Sequence, residues 1–294
     1  MRLRMRAPIL ILALLVAGAA PPPQKPRVKD LLQRTAAYVD RYHAEFASVV
    51  GEERYVQEVQ VPRSRPGQRP VWNTRARRVM TSELVLVWLP GDQDWVGFRD
   101  VLAVDDQPVA DAGRRKERLL AAAAQDRPGM LRQLAAESSR FNLGSVERNF
   151  NDPLLPLLFL WTRHQHRFKF EIKGPAEVAG PSVWRVTYDE RTRPTLIRAI
   201  HMNSPSRGEF WIDGDTGAIV RSEHDVGDRG VDIHARTIIE YRYEPRFGVW
   251  VPAEMTELYT HPRDPWRQRI SCTARYSNFR RFETDVRILP PSGK

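Results

Sequence analysis

The sequence is poor in cysteine and in the short motifs that carry known chemistry. Cys272 is its one cysteine, so a disulfide within the chain is excluded and packing alone must hold the core. Cys272 alternates with Ile270, Ala274 and Tyr276, which places its thiol on an apolar strand face. A free cysteine in such a setting behaves as a small hydrophobic residue and not as a nucleophile.

Signatures of nucleophilic and phosphate chemistry are also missing. The chain has no G-x-S-x-G, S-x-x-K or H-E-x-x-H motif and no glycine-rich phosphate loop. Ser138 and Ser139 fall within a predicted helix, and Asp189 and Glu190 stand among arginines in what resembles a charged turn before Pro194. The sequence therefore predicts no catalytic residue and no cofactor.

The sequence contains two weak candidates for a metal site. His164 and His166 would point the same way on a strand and could share a metal ion, but the sequence shows no third ligand beside them. His201, His224, His234 and His261 are scattered along the chain. We predict no metal site from this pattern.

The second candidate is the stretch 208–223, GEFWIDGDTGAIVRSE. An EF-hand loop beginning at Asp213 would have Gly217 as its fifth residue and His224 as its twelfth, and neither can supply the required ligand. Two apolar strand ends flank this cluster of turn-forming residues. The pattern predicts a hairpin turn in which Gly217 takes a positive φ.

The first twenty residues have the pattern of a secretory signal. Three arginines precede an uncharged apolar run at Ile9–Val16, and small residues follow at 17–20. We expect cleavage near Ala19 or Ala20 and export to the periplasm or the extracellular space. Residues 21–27 then form a proline-rich tether, and residues 285–294 a loose tail.

Positive charge is in excess. The formal net charge of +10 includes the three signal arginines, which leaves +7 for the chain from residue 21 onward. This excess favours contact with anionic surfaces such as phospholipid or lipopolysaccharide headgroups, and we expect no nucleic-acid partner for an exported protein. Acidic residues are interspersed, so much of the charge is expected to be solvated.

Residues 28–284 are predicted to form one α+β domain. Apolar residues recur every three or four positions from Val28 to Val49, which indicates an amphipathic first helix. Leu84–Leu89, LVLVWL, is apolar on both faces and predicts a strand covered on both sides, within a hairpin over 79–104. A helical insert follows at 112–161 and ends in its most apolar stretch, 154–161.

From Phe168 to Phe282 the chain reads as short strands separated by turns, which is typical of an antiparallel sheet. Apolar residues alternate with polar ones, so one face is apolar and the other wet. We predict a curved sheet with helices covering one face, and a ligand between them. The residues expected to line that ligand face are Trp184, Val186, Phe210, Ile212, Ile239, Tyr241, Leu158 and Trp161.

The order of these elements resembles the LolA-like fold, also called outer-membrane lipoprotein-sorting-like. Phe210–Val220 (FWIDGDTGAIV) and Gly248–Pro252 (GVWVP), followed by Met255–Tyr259, are similar to recurring stretches of such secreted proteins. The resemblance implies an unclosed β-barrel whose apolar face is covered by helices, as in an uncharacterised branch of these proteins. It assigns no catalytic or ligand residue.

Three functions follow as hypotheses. The leading one is a periplasmic or secreted binding module for a lipid, an acyl chain or a lipidated protein on the apolar face of the sheet. The second is an envelope structural or protein-interaction protein with no small ligand. The third is a hydrolase or metal-dependent enzyme near His164 and His166. The ligand, the partner and the oligomeric state stay open.

Overall fold

An antiparallel sheet organises the computed structural model. The structure describes residues 25–64, 69–90, 93–125, 129–144, 148, 151–176, 182–199, 202–203, 205–227, 233–264 and 266–281. The predicted signal peptide and tail, and most of the predicted tether, lie outside these ranges. No helix within them is long and apolar enough to cross a membrane.

The helices of the described residues are short apart from the first. They are α1 (Val28–Phe46), α2 (Arg114–Ala124), α3 (Met130–Ser139), α4 (Leu155–Leu160) and α5 (Thr162–Gln165). The strands of the first half are β1 (Val49–Pro62), β2 (Trp72–Leu89), β3 (Asp94–Val104) and β4 (Gln107–Pro108). Those of the second half are β5 (Phe168–Pro175), β6 (Val183–Glu190), β7 (Arg198–Ala199), β8 (Met202–Asn203), β9 (Ser206–Asp213), β10 (Ile219–Val226), β11 (His234–Glu244), β12 (Val249–Thr260) and β13 (Arg269–Arg281).

The main sheet has eleven strands in the order β4-β3-β2-β1-β13-β12-β11-β10-β9-β6-β5, and β7 pairs with β8 separately. Every pairing is antiparallel, and β1 joins the two halves of the chain by pairing with β2 on one side and with β13 on the other. The two end strands of the sheet, β4 and β5, do not pair with each other, so the sheet is not closed into a barrel. The predicted α+β class and curved, open antiparallel sheet are confirmed.

The two faces of the sheet are covered by different helices. Along LVLVWL in β2, Leu84, Leu86 and Trp88 enter the main core, which includes α1 and α4, whereas Val85, Val87 and Leu89 enter a second cluster with residues of α2 and α3. Burial of this strand on both faces agrees with its apolar run. We call the face toward α1 and α4 the inner face.

The stretch 208–223 is a hairpin turn between β9 and β10. Asp213 Oδ1 accepts hydrogen bonds from the backbone N–H and the hydroxyl of Thr216, at 2.7 and 2.6 Å. Gly217 has φ +76°, and a Cβ there would lie 2.5 Å from the carbonyl carbon of Arg34 in α1. The turn therefore requires glycine for its own geometry and for contact with the first helix.

Candidate functional site

The eight residues predicted to line a ligand face share one core cluster on the inner face. The six strand residues are buried, and Leu158 and Trp161 are half-buried residues packed against them. The residues predicted from strand alternation are thus brought together by the fold. That they bind a ligand stays a prediction.

Two buried residues at this surface were not anticipated. Tyr188 Oη and His224 Nδ1 lie 2.7 Å apart, and burial lowers the pKa of His224 to about 3, so its imidazole is neutral. His224 Nε2 is buried and has no hydrogen-bond partner among the described residues, and the same holds for Tyr42 Oη of α1. An unsatisfied buried polar atom costs roughly 1–3 kcal/mol, so these two atoms are places where a polar ligand group would gain a partner.

A short segment covers the apolar surface. We call residues 152–165, which include α4 and α5, the lid. Phe159 of α4 packs against Phe168, Tyr188 and His224, with ring centroids 5.1, 5.6 and 5.8 Å away. The backbone–backbone hydrogen bonds of the lid within the described residues are made with its own residues or with the turn at Arg167, so packing and bonds that involve side chains hold it on the sheet.

Those side-chain bonds lie at both ends of the lid. At its beginning, the hydroxyl of Tyr241 donates to the carbonyl of Pro153 at 3.1 Å. At its end, Trp161 Nε1 donates to Asp40 of α1 at 2.7 Å, and Gln165 Nε2 donates to the Leu32 carbonyl at 3.1 Å. The lid is therefore attached to the sheet and to the first helix at a few separate points.

Asp152 attaches the lid to the edge of β3. Its carboxylate accepts hydrogen bonds from the backbone N–H groups of Gly97 and Leu154, both at 2.9 Å. Burial raises the pKa of this carboxyl to about 6 against the opposing effect of these donors. Because the pKa is raised in the closed form, protonation favours closure, and the stabilising effect is lost as pH rises from about 4 to about 6.

Gly97 is required for this attachment. A Cβ at residue 97 would lie 2.1 Å from each carboxylate oxygen of Asp152. β4 pairs with β3 only at Ala103 and Val104, so the edge N–H groups of Gly97 and Arg99 are instead satisfied by Asp152 and by Ser138 Oγ. Side chains of α3 and the lid thus cover an edge that would otherwise be open to pairing.

The other half of the inner face carries a buried polar cluster. Arg99 Nε and Nη2 bond the carboxylate of Glu53, and Tyr276 Oη donates to the same carboxylate at 2.9 Å. The guanidinium of Arg99 also lies over the ring of Tyr55, 4.5 Å from its centroid. Arg99 and Glu53 are almost completely buried, and the pair raises the pKa of Arg99 against the effect of burial.

A second buried arginine extends the cluster. Arg148 bonds the side chain of Gln57, donates to the Leu143 carbonyl at 3.0 Å, and contacts Cys272 Sγ at 2.9 Å. Glu257 accepts hydrogen bonds from the hydroxyls of Tyr55 and Tyr259, each at 2.5 Å. These contacts fix the chain before the lid against β1, β12 and β13.

The cluster does not have the properties of a catalytic centre. Burial raises the pKa of the Cys272 thiol to about 12, so the thiolate is not available near neutral pH. The polar groups bond one another, which suits a structural anchor for the segment they hold. Within the described ranges, no group of three or more His, Cys, Asp or Glu is placed to hold a metal ion.

The structure separates His164 from His166. On a strand the two side chains would point the same way, but His164 lies in α5 and His166 is its C-cap. His164 is buried against Trp161 and contacts Asp94 at 3.1 Å, whereas His166 is exposed. The shared direction that i and i+2 residues have on a strand is therefore absent here.

Comparison with known proteins adds little. No protein-family model matches the chain, and no curated protein matches it. Among solved structures, a DUF1329 family protein from Desulfovibrio piger is similar, with a TM-score of 0.33 and 12% sequence identity, covering 86% of this chain and 92% of that one.

Proposed function

We propose that this protein is a binding module for a lipid, an acyl chain or a lipidated protein, and that the ligand takes the place of the lid on the apolar half of the inner face. One observation carries the proposal. A continuous apolar and aromatic surface is covered by a short helix that makes no backbone hydrogen bond to the sheet within the described residues. We place the protein outside the cytoplasm, on the pattern of residues 1–20.

The lid is the element that must move. α4 is six residues long, and a helix of this length has no stability of its own in water. Its conformation depends on packing against the sheet, in contrast to the 19 residues of α1. Opening the lid therefore requires the loss of a few side-chain contacts and leaves the ladder of the sheet intact.

The free energy that burial of the lid contributes is comparable with the free energy that a bound acyl chain would gain. Leu157, Phe159 and Leu160 of the lid are buried, and burial of three such side chains contributes roughly 5–9 kcal/mol. A chain of about 15 methylene groups gains roughly 12 kcal/mol by leaving water. A long acyl chain can therefore replace the lid on the same surface, and its carboxyl group would meet the unpartnered Tyr42 Oη or His224 Nε2.

The resemblance to the LolA-like fold supports this function. In that fold an open curved sheet is covered by helices on its apolar face, and the present chain has an open sheet with α1 and α4 in the corresponding relation. The two stretches that resemble recurring segments of such proteins, 210–220 and Gly248–Pro252, form strand ends and turns in this structure.

A test follows from Gly97. We expect the purified protein to bind palmitic acid, with one molecule per chain in native mass spectrometry. Gly97→Ala should raise the affinity at least fivefold, because the new Cβ displaces Asp152 and removes about 1–3 kcal/mol from lid closure. Tryptophan fluorescence titration measures both affinities.

Gly51→Ala is the matched control. Its Cβ would lie 2.4 Å from the ring of Phe279, so this variant also strains the inner face but does not touch Asp152. Its affinity for palmitic acid should equal that of the wild type. The absence of bound palmitate in both the wild type and Gly97→Ala would overturn the proposal. Equal changes of affinity in Gly97→Ala and Gly51→Ala would show that the lid does not compete with the ligand.

A further inference from the structure

The far end of the β1–β2 hairpin extends beyond the body of the sheet. β2 pairs with β3 from Met80 onward, so Trp72–Val79 has only β1 as a neighbouring strand in the described structure. Residues 73–77 are exposed without interruption. The turn between β12 and β13 lies beside this end, because Arg269 pairs with Gln60 of β1.

Positive charge is concentrated there. We call residues 58–64 and 69–78, together with 261–264 and 266–269, the basic arm. Its acidic residues are Glu58 and Asp264, so its net charge is +6, compared with +7 for the whole chain from residue 21 onward. Its basic residues are Arg63, Arg69, Arg75, Arg77, Arg78, Arg263, Arg267 and Arg269.

The rest of the chain from residue 21 onward has a net charge of only +1, and within the arm Glu58, which faces Arg77 at 3.8 Å, is already counted in the +6. Arg236 bonds Glu223 at 2.8 Å, and Arg275 bonds Glu254 at 2.9 Å, so arginines on these strands face acidic partners on the neighbouring strand. Ion pairs of this kind cancel locally and attract little from outside. The field that an approaching anion meets is therefore strongest at the basic arm.

The basic arm also presents apolar groups at its tip. The side chain of Val71 is 58% exposed, which is unusual for a large hydrophobic residue of this structure. Trp72 follows it, and the guanidinium of Arg269 lies over its ring at 4.2 Å from the centroid. An aliphatic residue, a tryptophan and several arginines at one projecting edge are the combination that favours a bilayer interface over bulk water.

From this arrangement we infer that the basic arm docks on the surface of a membrane rich in anionic phospholipid. The arginines contact the headgroups, while Val71 and Trp72 enter the interfacial layer. The arm is separate from the lid and from the apolar half of the inner face, so docking holds the binding module at the membrane whatever ligand it carries.

Vesicle flotation tests the inference. The full chain should float with vesicles of phosphatidylcholine and phosphatidylglycerol in equal parts. It should remain at the bottom of the gradient when the vesicles contain phosphatidylcholine alone. Each arginine near an anionic surface contributes about 1 kcal/mol, or about fivefold in affinity, so Arg69→Ala/Arg75→Ala should bind roughly 25-fold more weakly. Val71→Ser should weaken binding by about 5- to 10-fold without any change of charge.

A second double variant controls for net charge. Arg114→Ala/Arg191→Ala removes two exposed arginines elsewhere, each paired with a nearby aspartate, and should bind as the wild type does. Equal losses in the two double variants would contradict the inference, as would equal binding to both kinds of vesicle. Retention on soluble heparin without binding to anionic vesicles would also overturn it and would indicate a polyanion partner.

Discussion

Replacement of Arg99 by methionine is expected to lower the free energy of unfolding by about 3–5 kcal/mol. Methionine keeps much of the volume of the side chain but leaves Glu53 buried with one donor, Tyr276 Oη, in place of a bidentate arginine. An uncompensated buried carboxylate is far more costly than the loss of the pair as a whole. Urea denaturation followed by tryptophan fluorescence measures the change.

Two controls separate the buried charge from the loss of contacts. Glu53→Gln combined with Arg99→Met removes both charges, so the double variant should recover most of the stability lost in Arg99→Met. Arg275→Met breaks an exposed ion pair with Glu254 and should cost less than about 1 kcal/mol. Our account of the cluster is wrong if Arg99→Met costs no more than Arg275→Met.

Truncation of Phe210 should be more damaging than truncation of Phe159, although both side chains are buried. Phe210 lies on β9 within the sheet, and Phe210→Ala should lower the free energy of unfolding by about 3–5 kcal/mol. Phe159 lies on the lid. Its truncation cannot cost more than the free energy that holds the lid closed, because an open lid already exposes that ring.

The measurement is a pair of urea denaturation curves with hydrogen exchange on the same variants. Phe159→Ala should shift the curve clearly less than Phe210→Ala does, and it should accelerate exchange at residues 155–165 while the sheet stays protected. Equal losses of global stability, with equal exchange in α4 and β9, would show that the lid unfolds only with the whole domain.

Much of the fold was accessible from the sequence because the alternation of apolar and polar residues is regular in its second half. Ile270, Cys272, Ala274 and Tyr276 are all buried, as their spacing predicts. The turn at Asp213–Gly217 was also correctly predicted, since its glycine and aspartate match the chemistry of a tight hairpin. The first helix was predicted to reach Val49, but α1 ends at Phe46 and Val49 is the first residue of β1.

The polar cluster could not be found in the same way. On β1, Glu53 and Gln57 point inward while Glu52 and Glu58 point outward, so both faces of the strand read as polar. Which face is buried depends on strands more than 200 residues away in the sequence. One signal was present, because Arg99 and Asp100 interrupt the apolar strand β3, and each of them has a buried partner.

The lid was predicted as a helix but not as a separate element. The apolar stretch 154–161 was predicted as the end of the helical insert, and α4 does form there from Leu155, but the second carboxylate oxygen of Asp152 accepts a hydrogen bond from Gly97 of β3. Nothing local in the sequence connects residue 97 with residue 152. The helical setting of His164 was missed for a related reason, since four residues are too few to show the period of α5.

Hydrogen exchange with and without palmitic acid tests the central claim most directly. If an acyl chain takes the place of the lid, residues 155–165 should exchange faster when palmitic acid is bound, while the amides of 184–188 and 210–212 should stay as protected as before or become more protected. Unchanged exchange across the lid at saturating palmitic acid, or no bound palmitate at all, would contradict the account.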